Sequence, residues 1–427
     1  MADWFDSKRA AEQLGALTSV WPRRFASALG AVLVGLVALS FAFLADRAQE
    51  AFSSVANGRL WLMLLAPPAG LAAIAALTRW LAPNAKGSGI PQVILAAREP
   101  EQSVASGLVS LKAAAAKLFL SVAVLGVGAS AGREGPTVQL GASLMTAMHR
   151  LFRVPLTPGV IIAGGAAGVS AAFNTPLAGV AFAIEELAAA YEQRLTVLVM
   201  AAVMIAGLVS LGLAGDYFYF GAVHETLSLQ PAVLIALLCG AVGGVCGGLF
   251  SRSLLAIGGR SVGAVKLFQA RPVVWAAVCG VVVAVIGYAT HGATWGTGYE
   301  AARSMVEGES GSIWFAPAKF VATLATAASG VPGGIFAPSL ATGAGVGDLL
   351  AMLFPGEPRG PIVLLGMIAF FVGVVRAPLT GVVIVSEMTG AHGLILPLFI
   401  AAIVADGAGA LVCRERLYHG LAQRLKQ

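Results

Sequence analysis

Gly132-Arg133-Glu134-Gly135-Pro136 sets a lone carboxylate and a helix-starting signal deep inside an apolar sequence. Pro136 has no N–H to lose and so can begin a helix, and the two glycines open the backbone so that amides can face something negative. A helix N-terminus carries roughly half a positive charge. The same place therefore suits an inorganic anion or the Glu134 carboxylate, and the two would compete for it.

Around this stretch, 58% of the 427 residues are hydrophobic and only 11% are charged, against about 25% charged in a soluble domain. That composition predicts an all-α polytopic membrane protein with no room for a second, soluble domain. The net charge of +6 is scattered between apolar runs, at Arg23, Arg24, Lys86, Lys112, Arg150, Arg153, Arg260 and Lys266. Positives placed this way report orientation in a bilayer rather than a nucleic-acid surface. Lys8, Arg9, Arg23 and Arg24 at one end, and Arg414, Arg416, Arg424 and Lys426 at the other, predict that both termini are cytoplasmic. The first long apolar run starts after Arg24, too far in and too long for a cleavable signal.

Cys239, Cys246, Cys279 and Cys413 show no metal-type spacing and read as small core residues. His149, His224, His291, His392 and His419 share no ligand pattern either. Without a nucleophile–base pair or a phosphate loop, the expectation is a protein that is not an enzyme and uses no cofactor and no metal.

Along the chain, a short amphipathic surface helix is expected over about residues 2–20, then spans near 26–44 and 60–81. Between 87 and 98 a polar, glycine-rich stretch leads into an apolar segment too short to cross. Short segments recur at 118–131, 136–148, 159–172 and 176–186. At ~1.5 Å per residue each falls well short of ~30 Å of hydrocarbon. Broken helices of this kind are tolerated only where they line a cavity, and several transporters build ion sites from them. After Asp216 come spans near 231–255 and 273–290, a loop around Thr294 to Glu300, and short segments again from Trp314.

The chain also repeats itself. Asn174-Thr175-Pro176-Leu177-Ala178-Gly179-Val180 reads like Arg376-Ala377-Pro378-Leu379-Thr380-Gly381-Val382, and 376 less 174 is 202. The matches end in Glu186 and Glu387, and Gly132 to Pro136 pairs loosely with Gly330 to Gly334. Two repeated halves are expected, over about 24–215 and 230–411, with a C-terminal helix over about 412–427.

GSGIP at 87–91, GREGPTVQLG at 132–141, FNTPLAG at 173–179, GVPGGIFAPSLATG at 330–343 and a tyrosine, Tyr418, after Glu387-Met388-Thr389 occur in this order over nearly the whole chain. Together they resemble the CLC family of chloride channels and chloride/proton antiporters, in its prokaryotic form without C-terminal regulatory domains. The resemblance implies an inverted repeat and a homodimer with one pathway per subunit, in the inner membrane of a prokaryote.

It also implies residue roles. Ser88 matches the anion-coordinating serine, although a serine here could simply cap the helix. Ile335 and Phe336 match residues that offer backbone amides, while their side chains alone read as core. Tyr418 matches the tyrosine closing the anion site from the cytoplasmic side, and on its own reads as an interfacial belt residue. Glu134 has the strongest claim from chemistry alone, because a carboxylate in a membrane segment costs roughly 2.5–3.5 kcal/mol. A pairing with Arg133 is unfavourable, since neighbours on a forming helix point apart. Glu186 matches the inner proton-transfer glutamate, the alternative being that Glu185 and Glu186 both sit at the surface. Glu185 could line proton entry; Lys117 could shape the field at Glu134 or snorkel.

The expected function is exchange of chloride for protons through the bilayer, with Glu134 as gate and proton carrier. The alternatives are a passive chloride channel of the same fold, a fluoride/proton exchanger, and an intramembrane enzyme using these acids.

Overall fold

The computed structural model describes residues 2–187, 193–215, 219–223, 225–259 and 270–426. Asp216, His224, Arg260 and Lys266 lie outside the described residues. The first half comprises α1 (Ala2–Ala56), α2 (Leu60–Leu81), α3 (Ile90–Arg98), α4 (Pro100–Ala105), α5 (Leu111–Leu125), α6 (Glu134–Leu151), α7 (Pro158–Phe173), α8 (Pro176–Phe182) and α9 (Gln193–Ala214). The second comprises α10 (Leu229–Gly258), α11 (Pro272–Ala289), α12 (Tyr299–Val306), α13 (Phe315–Ala328), α14 (Phe336–Ala351), α15 (Arg359–Val375), α16 (Pro378–Thr389), α17 (Ile395–Val412) and α18 (Leu417–Leu425). The surface helix and the first span expected from the sequence are one continuous helix that runs through Pro22.

Long helices form the wall and short ones the interior. Among the described residues, six segments are long and apolar enough to cross a bilayer: Trp21–Ala56, Leu60–Leu81, Val197–Ala214, Gln230–Gly258, Pro272–Ala289 and His392–Val412. They expose residues such as Trp61, Leu65, Leu208, Leu234, Val285 and Ile403, the surface a hydrocarbon solvent would cover. By contrast, α7 is buried at every residue from Gly159 to Phe173, and α15 from Gly360 to Val375. A helix apolar on all sides has to sit inside.

Local chemistry explains the breaks. α7 ends at Asn174 and α15 at Arg376, both in the left-handed region at φ 57° and 66°. The next residues, Thr175 and Ala377, precede prolines and leave the helical region, as a pre-proline residue must. Pro176 and Pro378 then start α8 and α16, where the missing N–H costs nothing. α6 starts two residues before the expected proline, at Glu134, with Pro136 in its first turn.

Glycine permits the interior crossings. A Cβ on Gly141 would stand 2.2 Å from the Gly164 carbonyl oxygen, and one on Gly343 would stand 2.6 Å from that of Gly366. Small residues are what let buried helices approach this closely.

These pairs keep the offset of 202, and it holds at two further contacts, each correcting the repeat as read from the sequence. Gly132 bonds to Gly334 in both directions, N–H to carbonyl, at 2.8 and 2.7 Å. The partner of Gly132 is thus Gly334, not Gly330, and 334 less 132 is again 202. The partner of Glu387 is Glu185, not Glu186. Glu185 accepts from the Leu379 and Thr380 amides at the start of α16, at 2.9 and 2.6 Å. Glu387 accepts from Leu177 and Ala178 at the start of α8, at 3.2 and 2.9 Å. Contacts exchanged in this reciprocal way place a two-fold axis between the halves, as an inverted repeat requires.

Candidate anion site

Three glycine-rich turns converge beside that axis. The Gly132–Gly334 pair sets the starts of α6 and α14 against each other, and the Gly333 N–H donates to Gly87 O at 3.2 Å to bring in the turn before α3. Gly87 and Gly89 hold φ of 65° and 102°, which only glycine adopts without strain. Lys117 fixes this turn. Its Nζ, fully buried, donates to Gly87 O at 2.7 Å and Lys86 O at 3.3 Å, so it neither snorkels nor faces Glu134.

Ser88, Tyr418 and the first amides of α14 meet at the end of this turn. The Ser88 and Tyr418 hydroxyls lie near each other, short of a hydrogen bond of ordinary geometry, and among the described residues neither has another partner. Ser88 Oγ also lies against Gly135, where a Cβ would come within 2.4 Å of it. Ile335 caps α14 and Phe336 is its first residue, and the first amides of a helix have no partner within it. The Phe336 ring packs on Phe173, Phe182, Phe371 and Tyr418, which anchors the side chain in the core and fixes the backbone at the site. A cavity of about 660 Å³ reaches Ser88, Ile335 and Tyr418, with Arg79, Lys86 and Arg424 on its walls.

Two unpaired buried hydroxyls cost about 1–3 kcal/mol each. Convergent O–H donors, helix-start amides and nearby cations suit an anion that accepts from all of them, and offer little to a cation.

Glu134, fully buried, closes the other side. Its carboxylate points back over Gly132 toward the Ala337 amide of α14, so it already sits at a helix start. Oε1 accepts from the Tyr299 hydroxyl at 2.5 Å. Arg133 turns away, donating to Asp46 at 2.6 Å, Ala42 O at 3.0 Å and the Tyr219 hydroxyl at 2.9 Å. Tyr219 and Tyr299 stack at 5.0 Å with the Arg133 guanidinium over both rings.

Tyr299, Tyr219 and Asp46 escaped the sequence reading. One signal for Tyr299 was present: Gly296-Thr297-Gly298-Tyr299 mirrors Gly87-Ser88-Gly89-Ile90, with positive φ at both glycines of each. The mirror extends to Lys319, whose Nζ donates to Thr294 O and Gly296 O at 3.0 and 2.8 Å as Lys117 does in the first half.

Glu186 lies apart from the anion pocket, in the π-helical turn Ala183–Leu187 that continues α8. Such turns insert one residue and often mark functional positions. Glu186 is buried, not at the surface, and His419 Nδ1 stands 3.3 Å from its Oε1. Glu185 is half-buried and caps the start of α16. Tyr418 lies within electrostatic reach of both Glu134 and Glu186.

Interior helix starts that meet around buried donors, walled by lipid-facing spans, define a membrane transport protein. The chain belongs to the voltage-gated chloride channel family, the CLC family, whose model matches residues 69–409. It is 31% identical over 416 residues to the H(+)/Cl(-) exchange transporter ClcA of Vibrio vulnificus strain YJ016, covering 92% of this chain and 86% of that protein. A solved structure described as a slow cyanobacterial Cl-/H+ antiporter superposes with a TM-score of 0.82 at 22% identity, over 95% of this chain and 98% of its own. A CLC-type fluoride/proton antiporter gives 0.75 at 22%, over 90% and 95%. At such identities the agreement concerns the fold alone.

Proposed function

We propose that this protein exchanges chloride for protons across a prokaryotic inner membrane, as a homodimer with one pathway per subunit and both termini cytoplasmic. Repeat halves over about 24–215 and 230–411 form the transport unit. Chloride binds between Ser88, the amides of Ile335 and Phe336, and Tyr418, and Glu134 guards the outer side. The observation that carries the reading is the buried Glu134 carboxylate, whose Oε2 lies beside the start of α14 without a hydrogen-bond partner among the described residues, near two buried hydroxyls in the same state.

The mechanism follows from competition. A carboxylate tethered beside the site has a very high effective concentration, so dissolved chloride displaces it poorly while it is charged. Protonation removes the charge and with it the attraction to the helix start. Chloride then enters as Glu134 leaves carrying its proton. Protons reach Glu134 from Glu186, and Tyr418, near both, separates the chloride path from the proton path. The kinship with ClcA supports this reading, as does the burial of both glutamates.

The test is proton movement in liposomes driven by a chloride gradient. Proton flux against its own gradient is the expected result. Chloride flux without proton flux would make the protein a passive channel, and preference for fluoride over chloride in the same vesicles would change the substrate.

A further inference from the structure

Glu186 needs a proton source, since it is fully buried, and its carboxylate has the His419 ring 3.3 Å away, short of a well-aligned hydrogen bond. Four ionisable groups stand within reach of it. Arg416 is a guanidinium, a donor with no acceptor site to take up a proton for relay. Glu185 has both oxygens committed to the start of α16. Tyr418 is fully buried and lines the anion pocket. His419 differs from all three. Its Nδ1 is buried against Glu186 Oε1 at 3.3 Å, while 27% of the side chain is exposed. It is the third residue of α18, directly after Tyr418, so one turn of backbone presents one residue to the anion site and the next to the proton site.

We propose that His419 is the proton relay between the aqueous side bearing α18 and Glu186. Histidine is the side chain that ordinarily gains and loses a proton near neutral pH. Water delivers a proton to Nε2, the ring nitrogen away from Glu186, forming an imidazolium. The Nδ1 proton then passes to the Glu186 carboxylate, which becomes a neutral acid and leaves a neutral imidazole. Ring rotation or proton exchange through water resets the tautomer. No other reactant is needed.

This inference rests on the exchanger reading, and one experiment separates the two. The full chain and His419→Gln are reconstituted in liposomes, and chloride and proton fluxes are recorded together under a chloride gradient. The variant is expected to move protons roughly ten- to a hundredfold more slowly, because a positioned acid–base group contributes about a hundredfold or more and water entering the space supplies part of the path. Chloride flux falls less, so fewer protons move per chloride, and imidazole added to the bath restores the ratio. Were His419 only a structural neighbour, imidazole would restore nothing. His419→Asn, measured alongside, carries the same expectation should the glutamine variant not fold. An unchanged ratio in either variant, or a lowered ratio that imidazole leaves lowered, overturns the relay alone. Wild-type protein that moves chloride and no protons overturns the exchanger and the relay together.

Discussion

The two halves of the molecule share their scaffold and differ in their chemistry. Gly132 and Gly334, Lys117 and Lys319, and Glu185 and Glu387 do the same work on each side of the two-fold axis. At the same offset, Glu134 corresponds to Phe336 and Glu186 to Met388. One half thus places ionisable groups where the other places apolar ones, which packs α14 tightly enough to hold its amides still. Symmetry builds the site, and the departures from symmetry supply what the proposed exchange needs.

Removing the first departure should have the largest effect. Glu134→Ala is expected to abolish chloride-driven proton transport while chloride still crosses, because the site keeps its donors and loses its competitor. Proton pumping that persists in this variant would refute the gate. Glu186→Met copies the second half's residue into the first and should likewise stop proton movement with chloride flux retained. Undiminished proton flux would mean that protons reach Glu134 by another route.

Tyr299→Phe is a smaller change to the same asymmetry. The repeat counterpart of Tyr299 is Ile90, which lacks a hydroxyl, and the Tyr299 O–H holds Glu134 at 2.5 Å. A hydrogen bond to a charged group is worth about 1.5–3 kcal/mol. Losing it weakens the carboxylate's grip on its place, so chloride binding measured by calorimetry at fixed pH should tighten by roughly tenfold or more. The ring remains able to stack on Tyr219. Unaltered affinity would show that Tyr299 packs beside the gate without holding it.

Much of this was legible before the structure. Short apolar runs cut by glycine and proline announced broken helices, and the motif set singled out Ser88, Glu134, Ile335 and Phe336 on three glycine-rich stretches and Tyr418 after the last span. What escaped were contacts between distant positions. Tyr299 lies 165 residues from Glu134, and Asp46 lies 87 from Arg133, so no local pattern connects them. Lys117 reads from the sequence as shaping the field at Glu134 or snorkelling, and Lys319 carries no reading, since nothing local shows that a lysine is clamped on two carbonyls. The error over Glu387 had a local cause. Glu185 and Glu186 are adjacent, and the repeat continues through the first of them, while the π turn directs the second into the interior.

The smallest expected effect tests the symmetry itself. Glu185 and Glu387 each cap the short helix of the opposite half through two backbone amides. Replacing a capping side chain by alanine costs about 0.5–2 kcal/mol. If the two caps are equivalent, Glu185→Ala and Glu387→Ala should lower thermal stability in detergent by similar amounts. Their transport should differ, because only Glu185 adjoins Glu186. Freeing the start of α16 on that side loosens the π turn and alters the spacing between Glu186 and His419, so Glu185→Ala should move fewer protons per chloride. Glu387→Ala, whose neighbour is Met388, should keep the wild-type ratio. Unequal stability losses would break the structural equivalence of the halves. Equal ratios would show that the position of Glu186 does not depend on the cap beside it.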